Sequence, residues 1–439
     1  MSLTKLSGAF IRSAAYERRF LTKNPWDFTM VVWIPLITVL VIWWIFSQTQ
    51  ITDLPIGVID QDNSPVANTA VRYLEASPTL TVRQLYYSNA EAEAAILQRD
   101  IYAVVIIPEN FSRNILSGKP APLILQVNAQ YGTHSGIIQT SVQAVAGTLS
   151  AGVEIQQLVK QGIAPTQAAI AYSPIKIQRI SLFNAATDYQ QFLASTVIPA
   201  LLHILAMVIG ATTIGRELRD KKLGHWYRFI NTEISDKAFL TKNETTSALE
   251  TAQTNNSQHF NNKGKLPNKH LEQVSVVVLL FGLLGKYLWP MLAYSIWAML
   301  ALLLSRPQES IAIGSILATY AGLILLIMLS FWLGAIFTLS SFSLRMGLSA
   351  TAFISAPSYA FAGVTFPYIA ISSSAQHWSN ALPLTHYLKL HVAQLQMHAP
   401  AAVSLPIVYG LTIATMIAMS LTALLTKRAL AHPERWGAR

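Results

Sequence analysis

Cysteine is absent from all 439 residues. That excludes disulfides, thiolate metal sites and cysteine nucleophiles, and leaves the redox compartment undecided. Charge is scarce as well: Asp, Glu, Lys and Arg make up 12% of the chain, against about 25% in soluble domains. With 52% hydrophobic residues and a mean hydropathy of +0.39, the composition is that of an integral membrane protein. Acidic residues are outnumbered 21 to 31, a net charge of +10. The excess is spread between apolar runs rather than gathered on one face, so nucleic acid is not an expected partner. No G-x-x-x-x-G-K-[ST] occurs. The nearest approach, Gly282-Leu-Leu-Gly285-Lys286-Tyr287, lacks both the spacing and the hydroxyl that holds magnesium. The chain is therefore expected to hydrolyse no ATP itself and to carry no cofactor.

Long uncharged runs are present instead. Phe192–Ile214 is 23 residues without a charge, enough at about 1.5 Å per residue to cross a ~30 Å hydrocarbon layer. Directly after it comes RELRDKKLGHW, with Leu218, Leu223, Trp226, Tyr227 and Ile230 interleaved among charges, the composition of a helix at the membrane surface over residues 215–230. Phe28–Phe46 predicts the first span, kinked at Pro35. Tyr287–Leu304, Ile311–Leu339, Gly347–Val364 and Ser404–Leu425 predict four more, making six. Val274–Gly285 is too short to cross and reads as interfacial or as the start of the third span, with Lys286 marking the boundary. Residues 1–27 predict an amphipathic helix, with Leu3, Leu6, Phe10, Ala14 and Phe20 at helical spacing.

Residues 47–191 form one polar segment of domain size. Runs such as LPIGVID, LTVRQLYY, YAVVIIP and LILQVN alternate with helical stretches, which predicts a small α/β domain. Ser64 before Pro65, and Ser88 before Glu91, supply helix N-caps. Thr133–Lys160 reads as a long helix and Ile175–Leu182 as a returning strand. Asp60-Gln-Asp62-Asn-Ser64 could hold a hard cation, but no glycine and distal glutamate follow, and a strand end with a helix cap accounts for it. No metal site is expected. Residues 231–272, rich in Asn, Thr, Gln and Lys, predict a disordered insertion, and 426–439 a short tail.

Six spans put both termini on one side. Lys and Arg number 21 on the side of the termini and 10 on the other, which assigns the termini, 1–27, 215–230 and 231–272 to the cytoplasm and 47–191 to the exterior. The fold expected is thus an α-helical integral membrane protein with six transmembrane helices, carrying an α/β extracytoplasmic domain between the first and second. Within 273–425, residues 361–390 are too apolar for a free loop and too broken by Gly363, Pro367 and Pro383 for one helix. Short re-entrant helices at the outer leaflet fit that pattern, because broken backbone at membrane depth must be satisfied by protein or a water-filled cavity.

Gly363-Val-Thr-Phe366-Pro367, followed by Ala381-Leu-Pro383-Leu-Thr-His386-Tyr387, resembles the outer-leaflet signature of ABC-2 type permeases, the membrane subunits of ATP-binding-cassette exporters. Leu54–Asp62 with Ser64-Pro65, Ala103–Pro108 with Phe111, Phe183-Asn184, Gly215-Arg216-Glu217 and Gly285-Lys286 extend the resemblance over almost the whole chain. The insertion 231–272 departs from it. The resemblance implies a half-transporter, either a homodimer or one of two paired homologous permeases, in a bacterial inner membrane. It implies an ABC ATPase subunit holding ATP and Mg and docking on the helix after span two, through Arg216, Glu217, Leu223, Gly224 and Trp226. It further implies a periplasmic membrane-fusion adaptor with an outer-membrane channel, contact with membrane lipid, and a re-entrant motif of Gly363, Phe366, Pro367, Pro383, His386 and Tyr387.

The function expected is efflux driven by the partner ATPase. A membrane-anchored sensor or scaffold with an external ligand-binding domain is the competing reading, and it leaves the broken apolar stretch 361–390 without a purpose. A membrane enzyme would rest on His377, His386, His391 and His398, whose spacings do not share one helical face. His203, inside span two, reads as hydrogen-bonded to a neighbouring helix rather than as a proton relay. The topology has a direct check on this cysteine-free background. Asn128→Cys should react with an impermeant thiol reagent in cells whose outer membrane is opened and Asn255→Cys should not; the reverse pattern would sink the assignment.

Overall fold

A computed structural model describes residues 3–47, 50–167, 183–184, 188–231, 274–305 and 311–437. The expected strand 175–182, the insertion beyond Asn231 and the loop 306–310 lie outside these residues. The chain forms two compact units, residues 50–182 and the remainder.

In the smaller unit, β1 (Leu54–Asp60), α4 (Pro65–Glu75), β2 (Leu80–Leu85), α5 (Asn89–Gln98), β3 (Ala103–Ile107), α6 (Phe111–Leu116), β4 (Ile124–Val127) and α7 (Gly132–Lys160) follow in order, after three helices given below. The sheet runs β2-β1-β3-β4, with β1 parallel to both β2 and β3, and β4 antiparallel at the edge. Every residue of β3 is buried, which is why AVVII reads as a continuous apolar run rather than an alternation. Ser64 and Ser88 cap α4 and α5, accepting from Ala67 N at 3.1 Å and Glu91 N at 3.2 Å. Asp60 Oδ1 accepts from the amides of Asp62 and Asn63, and Asp62 Oδ2 from Ser112 N. These carboxylates hold the turn and tie it to α6.

The larger unit begins with α1 (Leu3–Lys23), α2 (Pro25–Val31) and α3 (Trp33–Ile45). It resumes with α8 (Ser195–Arg219), α9 (Leu223–Asn231), α10 (Val276–Leu304), α11 (Ile313–Ser341), α12 (Leu344–Ser355), α13 (Ser358–Phe361), α14 (Ser373–Ala381), α15 (Pro383–His391) and α16 (Leu405–Ala431). Among the described residues, five stretches are long and apolar enough to cross a membrane: Pro25–Ile45, Gln190–Arg219, Val276–Leu304, Ile313–Ser341 and Ala401–Ala431. The chain is a multi-pass membrane protein.

Two expectations need correction. Gly347–Val364 is no single helix: α12 stops at Ser355 and α13 starts at Ser358, because Pro357 has no N–H to continue the ladder. Of the two readings of Val274–Gly285, the start of the third span is the one seen: α10 runs uninterrupted from Val276 through Lys286 to Leu304. The amphipathic face of α1 is rotated from the expected one. Leu3 is exposed, whereas Gly8, Ala9, Arg12, Ser13, Ala14, Glu17 and Leu21 are buried. Small residues line that face because α10 approaches closely at Gly285, where a Cβ would lie 2.2 Å from Phe10 O.

The Pro35 kink falls where proline chemistry places it. Proline cannot bond the carbonyl four residues back, Val31, and α2 ends there. The Trp297 indole N–H donates to that freed carbonyl at 3.4 Å.

Backbone contact also governs α8 and α11. A Cβ on Gly210 would stand 2.1 Å from Phe331 O, and one on Gly334 would stand 2.0 Å from Met207 O. Each glycine thus admits the other helix's main chain. Gly210→Ala or Gly334→Ala should force the helices apart and lower the thermal midpoint of the detergent-solubilised protein by several degrees or prevent its isolation. Gly410→Ala, where an added Cβ meets open space, should leave the midpoint unchanged or slightly raised; equal behaviour of all three would refute the close crossing.

Candidate functional site

Four charged side chains meet behind the end of α8. Arg216 and Glu217 end one span, Glu17 comes from α1 and Lys286 from α10. Lys286 Nζ lies 2.8 Å from Glu217 Oε1 and 3.3 Å from Glu17 Oε2, and the Arg216 guanidinium pairs with Glu17. None of the four side chains is more than 6% exposed. Asp27, at the start of the first span, approaches Arg216 to 3.7 Å from a half-solvated position. Two carboxylates and two cations balance, which is the condition for holding charge out of water.

Aromatic rings wall the cluster. Arg216 lies 3.8 Å over Phe20, and Lys286 is 4.8 Å from the Tyr16 ring and 5.5 Å from that of Trp226. Tyr16 donates to Glu217 Oε2 at 3.4 Å. Burial and the Glu217 carboxylate push its hydroxyl far above the usual tyrosine range, so it stays a donor. Around this centre α1 is pinned at three points: Arg12 donates to Ile230 O at 2.7 Å, the Trp226 indole to Ser13 Oγ at 3.0 Å, and the Trp289 indole to Ala14 O at 2.9 Å.

The expected coupling residues Arg216, Glu217, Leu223, Gly224 and Trp226 are brought together, but all are buried. Trp226 is fully enclosed. The expectation that it projects toward a partner is corrected: in α9 the apolar ridge turns inward onto α1 and Gly282 of α10, where a Cβ would reach the Trp226 ring at 3.2 Å. What α8 and α9 leave exposed is the elbow between them, Arg219 to Lys222, together with His225. Arg219 pairs with Asp220 at 2.8 Å, and that hydrogen bond holds the Asp220 carboxyl below its usual range.

Glu17, Lys286, Tyr16, Ser13 and Asp27 were not among the residues expected to act. Lys286 carries a signal, being the one cation between two apolar runs. Glu17 carries a weaker one, as one of two acidic residues before the first span.

The re-entrant motif splits into two environments. Gly363 holds φ +79°, a conformation that glycine takes without strain. Phe366 and Pro367 after it are exposed. Pro383 opens α15 at its first position, where no amide is needed. Tyr387 is buried with its hydroxyl 3.1 Å from His391 Nδ1, and His386 Nε2 meets Asn380 O at 2.8 Å. Residues between the two halves tie them: Ser379 donates to Phe361 O at 2.8 Å and Asn380 to the Tyr368 hydroxyl at 2.9 Å.

Removing one member of the buried cluster strands a charge, at about 3–5 kcal/mol. Lys286→Met should therefore lower the thermal midpoint sharply, and adding Glu217→Gln should recover most of the loss by removing the stranded carboxylate. A single variant as stable as the parent, or a double variant worse than the single, would show that the cluster is not held out of water.

Residues 26–232 match the family model described as ABC-2 family transporter protein. Among solved structures, the chain is similar to a crystallised domain assigned to an ABC type-2 transporter of Thermotoga maritima, at 20% identity and a TM-score of 0.21, over 28% of this chain and 81% of that one. No curated protein matches. Residues 26–232 are thus similar to the ABC-2 family of transporter membrane proteins.

Proposed function

We propose that this chain is the membrane-spanning permease subunit of an ABC exporter in a bacterial inner membrane, moving substrate outward on work done by a separate ATPase subunit. ATP and Mg would be held by that partner. The observation that carries the reading is the elbow Arg219–Lys222, the exposed, charged point where α8 meets α9, directly backed by the buried cluster of Glu17, Arg216, Glu217 and Lys286. A push on the elbow reaches three helices at once, since α1, α8 and α10 are joined there by charges that cannot separate without being stranded. Trp226 then acts from inside, keeping α9 fixed to α1, rather than as a knob in a partner's groove.

In this reading α12 and α13 together, residues 344–361, form a sixth, broken crossing of about 27 Å. Both termini face the cytoplasm, residues 47–191 face the periplasm where an adaptor would meet them, and a second permease completes the pathway.

The elbow can be altered without touching the buried cluster. Lys221→Glu combined with Lys222→Glu should leave insertion and thermal midpoint unchanged, yet reduce co-purification of the cognate ATPase at least tenfold, the loss of about 1.4 kcal/mol. Unchanged co-purification and unchanged transport-coupled hydrolysis would place the contact elsewhere.

A further inference from the structure

His203, on α8, and Tyr294, on α10, are both buried in the middle of their helices. The proton inventory around His203 fixes its tautomer. Ser330 Oγ lies 2.5 Å from Leu326 O, a separation that requires the serine proton between them. Ser330 has no second proton, so its 2.6 Å contact with His203 Nδ1 is donated by the imidazole. Nε2 is left as a bare acceptor, and among the described residues nothing donates to it; the Tyr294 hydroxyl likewise finds no acceptor.

Helix register brings these two groups to one place. α8 and α10 run antiparallel in contact: Glu217 pairs with Lys286, and Tyr287 donates to Gly210 O at 2.8 Å. Seven residues along from that bond, two turns or about 10.5 Å, His203 and Tyr294 come opposite each other. A third contact agrees. Phe331, next in sequence to Ser330, stacks on Tyr287 at 5.8 Å and takes Tyr294 edge-on at 5.4 Å. The imidazole and the phenol therefore converge on the Ser330–Phe331 step of α11, one offering a lone pair and the other a proton. Two buried polar groups of opposite kind, each of which would cost free energy unpaired, define a site for a group that accepts and donates at once.

We propose that α8, α10 and α11 enclose a binding site for a single hydroxylic ligand, an internal water, accepting from the Tyr294 hydroxyl and donating to His203 Nε2. Full burial of both residues selects water over the hydroxyl of a transported molecule. The site lies within one chain and does not depend on the proposed partner or the direction of transport.

Removing only the hydroxyl separates the possibilities by sign. If water bridges the pair, Tyr294→Phe breaks the bridge and the thermal midpoint falls by about 2–4 °C, and Tyr294→Phe with His203→Leu falls no further than the larger single loss. If the hydroxyl is unpaired, Tyr294→Phe raises the midpoint, because a stranded polar group has been deleted. A rise, or fully additive losses, overturns the proposal. A measurement on the unaltered chain covers the case in which a variant fails to fold. In protein with ¹⁵N-labelled histidine in lipid nanodiscs, the resonance lost in His203→Gln should show an unprotonated Nε2 that receives magnetisation from water protons. Transfer from the tyrosine hydroxyl alone, from an added long-chain alcohol but not from water, or from no proton at all would each refute an internal water.

Discussion

Two carboxylates and two cations held almost free of solvent constrain the larger unit more tightly than any apolar contact in it. An apolar side chain can slide along its neighbour at little expense, but a buried charge that loses its partner faces a desolvation penalty of several kcal/mol. Glu17, Arg216, Glu217 and Lys286 therefore fix the relative positions of α1, α8 and α10. The glycines then follow. Gly285 must be bare for α1 to bring Glu17 within reach of Lys286, and Gly210 and Gly334 must be bare for α8 and α11 to share a backbone contact. Close packing through small residues is the usual device where lipid removes the hydrophobic drive for helices to associate.

Much of this was legible in one dimension because membrane spans and parallel strands announce themselves by composition. The run Phe192–Ile214 has no soluble alternative, and the helical stretch Gln190–Arg219 covers it. In the smaller unit, Ser64 and Ser88 marked helix starts because a side-chain acceptor at an N-cap is a local requirement, met within three residues. The break of the first span three residues before Pro35 is equally local, since a proline acts on a carbonyl at a fixed distance.

What could not be read was long-range. The face α1 buries is chosen by the proximity of α10, some 270 residues away, and proximity favours Gly8, Ala9, Ser13 and Ala14 over the larger Leu3 and Phe10. A hydrophobicity pattern cannot register that preference. Lys286 was counted among the cations that set topology, as were Arg12 and Arg216, although all three are buried. Charge counting does not distinguish a lysine at the membrane surface from one paired inside the protein. Trp226 was misread for the same reason: an amphipathic helix beside charged residues has an apolar ridge whether it faces a partner or its own chain, and only the positions of Ser13 and Gly282 decide which.

The enclosure of Trp226 changes how force could pass through this end of the molecule. A side chain docked into another protein transmits load only while the interface holds, whereas one hydrogen-bonded to Ser13 and packed on Gly282 transmits it within a single folded unit. The exposed elbow is four residues long, and Lys221 within it holds φ +56°, a left-handed backbone that a lysine adopts at a cost. That turn closes with Lys222 N bonded to Glu217 O at 2.8 Å. The residue that anchors the elbow is thus also the carboxylate that Lys286 neutralises. A displacement of the turn cannot be absorbed by bending there without disturbing an ion pair in the protein interior, which ties α8 and α9 together.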